Sequence, residues 1–215
     1  MDKISDVIIS DCDKSRYIKP LRLTYQQNGI KKIWDAMTVH DSVVILIYNV
    51  TRHVLVFVKQ FRPAVYLCSS KVSEVDGQQV INHEDNPASL GLTYELCAGI
   101  VDKDTSLEQI AQAEVLEECG YKVPLDRLER MCSCRAGVGT AGALQTMYFA
   151  EVTDAMRVSK GGGIEEEGEM IDVVDISVSE AMDFVMDDNV NKPVGMMFAV
   201  LWFFQNKNKH YSSKI

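Results

Sequence analysis

The sequence predicts an α/β fold, α+β in its order of elements: helices sandwiching a mixed sheet, preceded by a small β unit. Three observations carry this. Short β-branched runs recur between residues 42 and 177, the strongest being SVVILIYN and VLVFVKQF on either side of a polar turn. One helical pattern with start and stop signals is inserted among them, and two more follow the last strand. The chain has 215 residues, 47% hydrophobic and 25% charged, enough for one sizeable core plus an appendage.

Taken in order, residues 20 to 37 (PLRLTYQQNGIKKIWDAM) set two β-prone segments around Asn28-Gly29, the dipeptide that best tolerates the positive φ angles of a tight hairpin. This marks an N-terminal β unit over 1–38, a main domain over 39–207 and a frayed tail over 208–215. Residues 42 to 63 begin the main sheet, with a turn around Asn49 to His53. Residues 67 to 92 are polar and punctuated by Gly, Asn and Pro, and read as a long surface excursion and a candidate lid. TYELCAGIV (93–101) returns to strand character. Thr105 to Glu108 has capping-box spacing with Thr105 as the cap, and Gly120 is placed as a stop, so a helix of about four turns lies between them. Strands follow at 127–134 and 144–152, and the loop SKGGGIEEEGE (159–169) leads into a strand at 170–177. Helical spacing over 178–188 and 192–207 closes the domain, and VGMMFAVLWFF within the second reads as a buried helix.

Charge and cysteine usage narrow the function. A net charge of -9 lacks the footprint of a protein that wraps nucleic acid or docks on anionic lipid. No apolar run reaches the roughly 20 residues of a membrane span. The six cysteines are scattered, Cys132-Ser133-Cys134 has no second pair with zinc-ligand spacing, and the first fifteen residues lack a secretory signal. The expectation is a cytoplasmic protein with free thiols and neither a nucleic acid nor a membrane as partner.

The sharpest signal is acidic. Glu114, Glu117 and Glu118 fall at i, i+3 and i+4, on one face of the predicted helix, where like charges repel. A solvated acidic surface is the commoner meaning of such a run. It would normally carry compensating lysines, yet no Lys or Arg occurs from Thr105 to Tyr121. A hard divalent cation held by carboxylate oxygens would supply the missing charge, and magnesium is the ion that takes a few carboxylates plus substrate phosphates.

Counted from Gly99, this stretch resembles the Nudix box: Glu114, Val115, Glu117, Glu118, Gly120 and Tyr121 fall at its offsets. Thr105 stands where the box has its first Glu, and Ala113 where it has Arg. Losing both leaves no orphan charge, and Thr105 can cap the helix instead. HDSVVILIYN, VKQFRPAVY, ELCAGIVD, EECGY, QTMYFAEVTDA and GGGIEEEGEMIDVV extend the resemblance over most of residues 15 to 207, toward the ADP-ribose and nucleotide-sugar pyrophosphatase branch.

The resemblance implies a Nudix α/β/α sandwich and residue roles. The carbonyl of Ala98, with Glu114, Glu118 and Glu169, would hold Mg²⁺, with Mn²⁺ as a substitute, and Glu117 would be a further ligand or a supporting acid. Glu167 would be the catalytic base, with Glu166 the alternative. Arg62 would grip the pyrophosphate, its fork suiting phosphate oxygens. Gly139 and Thr140, in the loop CRAGVGTAGALQT, would contact substrate, and Gly161 to Gly163 with Gly168 would let the acidic loop swing over it. The implied activity is Mg²⁺-dependent hydrolysis of a nucleotide diphosphate sugar, UDP-glucose to UMP and glucose 1-phosphate, by a homodimer joined through the N-terminal unit. The alternatives are an ADP-ribose pyrophosphatase giving AMP and ribose 5-phosphate, and an inactive nucleotide-binding module. Thr140-Ala141-Gly142-Ala143, where ADP-ribose enzymes of bacteria carry Thr-Ser-Glu-Arg, favours the UDP-sugar reading.

Overall fold

A short strand, β1 (Val7–Ile9), precedes the hairpin of β2 (Lys19–Gln27) and β3 (Ile30–Thr38). Asn28 and Gly29 turn it with φ of 53° and 77°. The structure, a computed structural model, describes residues 3 to 207 apart from 13 and 16, with the backbone alone at 167. The tail expected over 208–215 lies outside the described residues.

The main sheet starts with β4 (Ser42–Asn49) and β5 (Val54–Phe61), both apolar at successive positions because each faces helices on two sides. A short helix, α1 (Pro63–Ser69), follows, then β6 (Val72–Val75) and β7 (Gln78–Ile81). Residues 67 to 92 therefore differ from the expected loop. Asp76-Gly77, with φ of 50° and 77°, makes a second tight hairpin, and β1 adds to it with Val7 opposite Ile81. The alternation in VSEV was the available signal, masked by its polar residues.

β8 (Leu92–Glu95) and β9 (Cys97–Ile100) lead to α2 (Leu107–Cys119). β10 (Leu128–Ala136), β11 (Ala143–Val152) and β12 (Ile171–Ser177) complete the sheet, and α3 (Val178–Met186) and α4 (Val194–Asn206) follow. Seven strands form it in the order β10-β11-β4-β5-β12, with β9 on β4 and β8 on β5. Only β11 and β4 run parallel, so the sheet is mixed.

The topology makes a fork. β4 and β5 pair only from Ile47↔Val56 to Asn49↔Val54 and then splay apart. β9 fills the β4 side, from Ser42↔Ile100 to Ile45↔Cys97, and β8 the β5 side, from Val58↔Glu95 to Phe61↔Leu92. Alternate strand residues then feed two cores. Val43, Ile45, Ile47, Val56 and Val58 pack with Ile110, Val115 and Tyr121 on the α2 face. Val44, Leu46, Tyr48, Leu55 and Phe57 pack with Ala181, Val185, Met196, Val200 and Phe203 on the α3/α4 face. The result is the expected α/β/α sandwich. No helix among the described residues is long and apolar enough to cross a membrane.

Candidate active site

Helix α2 is fixed at both ends. Its cap is Ser106 and not Thr105: the Ser106 hydroxyl accepts the Gln109 N–H at 3.2 Å, and the Gln109 side chain accepts the Ser106 N–H at 3.1 Å. Glu108 instead accepts the Tyr148 hydroxyl at 2.7 Å. At the other end Gly120 adopts φ 78°, and its N–H donates to the Leu116 carbonyl at 3.0 Å.

The glycine-rich segment completes that end. Gly162 N–H donates to the Glu118 carbonyl at 2.9 Å and Gly163 N–H to that of Glu117 at 3.2 Å, using carbonyls the helix leaves unpaired. A Cβ on Gly120 would lie 2.3 Å from the Ser159 carbonyl oxygen, and one on Gly161 2.3 Å from that of Glu118, so both positions need glycine for contact as well as for φ. Gly161 to Gly163 thus dock the loop to α2 instead of freeing it. Beyond them Glu169 closes a small turn, its carboxylate accepting the Ile164 N–H at 2.9 Å.

These contacts bring α2 against the fork in the sheet, and a cleft of about 660 Å³ opens there. Ala98, Glu114, Glu117, Glu118, Glu169 and Arg62 all line it. Gly99 lets Glu114 in: a Cβ there would stand 2.1 Å from Glu114 Oε1 and 2.4 Å from its Cγ. Glu118, only 5% exposed, accepts the Ala98 N–H at 3.0 Å. Arg62 makes a two-point ion pair with Glu95, Nε to Oε1 at 2.8 Å and Nη2 to Oε2 at 2.7 Å. Glu95 therefore takes the Nε/Nη2 edge of the guanidinium, and the Nη1/Nη2 edge has no hydrogen-bond partner among the described residues. Gly139 and Thr140 are not among the cleft's lining residues; their carbonyls accept Trp34 Nε1 at 2.9 Å and the Met37 N–H at 2.7 Å, which ties the β2–β3 hairpin down. Glu167 lies in a 3-10 turn with Glu166, and its side chain is outside the described structure.

Electrostatics in the cleft are one-sided. Its described lining carries Glu95, Asp102, Glu114, Glu117, Glu118 and Glu169 against two cations, Arg62 and Lys103. Burial, then the charges of Glu117 and Glu169, push Glu114 up to about 7, against the pull of Lys103. Burial is also the largest influence on Glu118, at about 8; Glu114 and Glu169 push the same way, and bonds from Ala98 and Cys97 oppose them. Among the described residues no three acidic, histidine or cysteine side chains stand at metal-ligand spacing. Glu118 and Glu169 are each turned to a backbone N–H group. The donor set is nonetheless oxygen throughout and short of positive charge, which fits a hard divalent cation.

Sequence reading missed Glu95, Lys103, Tyr17 and Gln145, all on the cleft lining. An acid inside the apolar run TYELCAGIV was the legible signal for Glu95; the others come from segments that only the fold brings together.

No family model matches the chain. It is 46% identical to the uridine diphosphate glucose pyrophosphatase NUDT14 of Bos taurus over 213 aligned positions, covering 95% of this chain and 96% of that protein. To the protein of the same name from Mus musculus it is 41% identical, covering 99% of each. A GDP-mannose pyrophosphatase from Salmonella arizonae is 30% identical over 87% of this chain and 86% of its own length.

Proposed function

The chain belongs to the Nudix family of nucleotide-sugar hydrolases, and we propose that it hydrolyses the pyrophosphate bond of UDP-glucose, releasing UMP and glucose 1-phosphate. The observation that carries this is a cleft holding Glu114, Glu118, Glu169 and Arg62 in a chain 46% identical, over nearly its whole length, to a UDP-glucose pyrophosphatase.

Glu114, Glu118 and Glu169, with the Ala98 carbonyl, would hold Mg²⁺ or Mn²⁺, and Glu117 supports them from the same helix face. Such an ion would neutralise the substrate's phosphates and polarise a water for in-line attack. The chain's own part is to gather these carboxylates on one wall of the cleft, to present Arg62 to phosphate oxygens and to keep the reacting groups in line. Glu167 is the base in this reading, with Glu166 the alternative; the turn 165–167 hangs from a segment docked on α2, so a base there has a fixed support. With Gly139 and Thr140 tied to the hairpin, any contact they make with substrate would come through the β unit of residues 1 to 38.

The protein would act in the cytoplasm as a homodimer. Leu21, Leu23, Tyr25 and Trp34 share one face of the hairpin and are exposed, an apolar surface that a second copy would cover. Light scattering should give twice the chain mass.

A panel of UDP-glucose, GDP-mannose and ADP-ribose at one Mg²⁺ concentration tests the activity. The highest kcat/KM should belong to UDP-glucose, with UMP and glucose 1-phosphate as products. A preference for ADP-ribose would replace the substrate, and silence toward all three would leave a binding module.

A further inference from the structure

Arg62 sits in a difficult place. It shares a cleft with Glu114, Glu118 and Glu169, and it feels the charges of Glu118 and Glu169 directly. A flexible guanidinium there, with no partner of its own, would swing onto those carboxylates and occupy the place a divalent cation should take. Glu95 stands in the way. Its side chain is 14% exposed against 46% for Arg62, it sits in register opposite Val58 on β8, and Thr93 Oγ1 donates to its Oε1 at 2.6 Å. Burial works against its ionisation, but the bonds from Arg62 and Thr93 outweigh this and hold Glu95 below the usual carboxylate range. With Nε and Nη2 both on Glu95, Nη1 is the arm of Arg62 without a hydrogen bond among the described residues.

We propose that Glu95 is a positioning residue: it holds Arg62 away from the metal-binding carboxylates and leaves the outer edge of the guanidinium, Nη1 with the second N–H of Nη2, to reach the substrate's phosphates. This rests on the pyrophosphatase reading above. It also predicts that a substitution at Glu95 acts only through Arg62.

The test is a cycle of Glu95→Gln, Arg62→Met and the double variant in the full chain, with KM and kcat for UDP-glucose and the Kd for Mn²⁺ read from the free-ion paramagnetic signal. Glu95→Gln should raise KM about tenfold with kcat within about threefold, and weaken Mn²⁺ binding about fivefold as Arg62 collapses onto the acids. The double variant should regain wild-type Mn²⁺ affinity and show no KM loss beyond that of Arg62→Met. Additive KM losses, or an unchanged Mn²⁺ Kd in Glu95→Gln, would overturn the proposal. Should Glu95→Gln fail to fold, Thr93→Val, which removes the 2.6 Å bond to Glu95 and a longer one of 3.4 Å to the Gln60 carbonyl, should raise KM about threefold, and an unchanged KM would count against the idea. A wild-type chain inactive on every nucleotide sugar would sink the pyrophosphatase reading and this inference with it; an active wild type with additive losses sinks only the inference.

Discussion

Helices α2 and α4 are both 13 residues long and lie on opposite faces of one sheet, yet they are built for different work. On α4 the buried stripe is Met196, Ala199, Val200 and Phe203, at i, i+3, i+4 and i+7, and it carries no polar atom beyond the backbone. On α2 the buried set is Ile110, Ala111, Val115 and Cys119 with Glu118 among them, and Glu114 leans over Gly99 on the same side. One helix buries an unbroken apolar stripe, while the other gives part of its buried face to carboxylates whose charge burial resists. Away from the cleft, charge is partnered near the surface: Arg52 bonds Asp154, Asp175 and the Tyr121 hydroxyl together. The α3/α4 face is apolar throughout, while the α2 face joins an equally buried apolar core to a charge-strained set of acids, the proposed metal ligands.

The largest effect that would break this comparison is at Glu118. Glu118→Gln keeps an oxygen for the Ala98 N–H but removes the charge, so kcat should fall about 10³-fold, equivalent to ~4 kcal/mol, while Tm holds or rises. Activity near wild type would remove Glu118 from the proposed ligand set, and a sharp fall in Tm would show that α2 needs the acid for its fold.

Next in size is the mirror experiment on α4. Phe203 is fully buried against Tyr48 and Phe149, and Phe203→Ala should cost about 3–5 kcal/mol by denaturant unfolding while the folded fraction keeps its kcat. A matching loss of kcat would mean that the two faces are coupled.

The smallest effect is titration of the metal-free chain. Glu114 and Glu118 have folded pKa values raised to about 7 and about 8, so between roughly pH 4.5 and 8 the folded state binds more protons than the unfolded one. Their contribution to stability is complete below that window and lost as pH rises through it, so Tm should fall by several degrees between pH 5.5 and 8.5. Saturating Mg²⁺ should flatten the slope, because ligands must be deprotonated to bind. Glu95 and Asp154, held low by their partners, act at lower pH and do not obscure it. A flat or rising Tm without metal would contradict the strain assigned to α2.

Most of the frame was legible in the sequence because local rules govern it. The β4 and β5 runs, Asn28-Gly29 and the stop at Gly120 each depend on a few neighbouring residues. Where neighbours competed, the reading slipped: Thr105 and Ser106 both fit a cap, and the backbone chose Ser106. The β6–β7 hairpin was overlooked because polar side chains on an exposed ribbon leave little apolar period to detect.

By itself the sequence determined the sandwich and the acid trio on one face of α2, since spacing along a helix fixes which side chains point together. Only the tertiary structure decided what those acids meet. The splay of β4 from β5 opened the cleft, the docking of Gly161 to Gly163 on α2 set the position of Glu169, and β8 brought Glu95 to Arg62 across 33 residues of chain. Such meetings depend on strand register and close backbone approach, which no local pattern encodes.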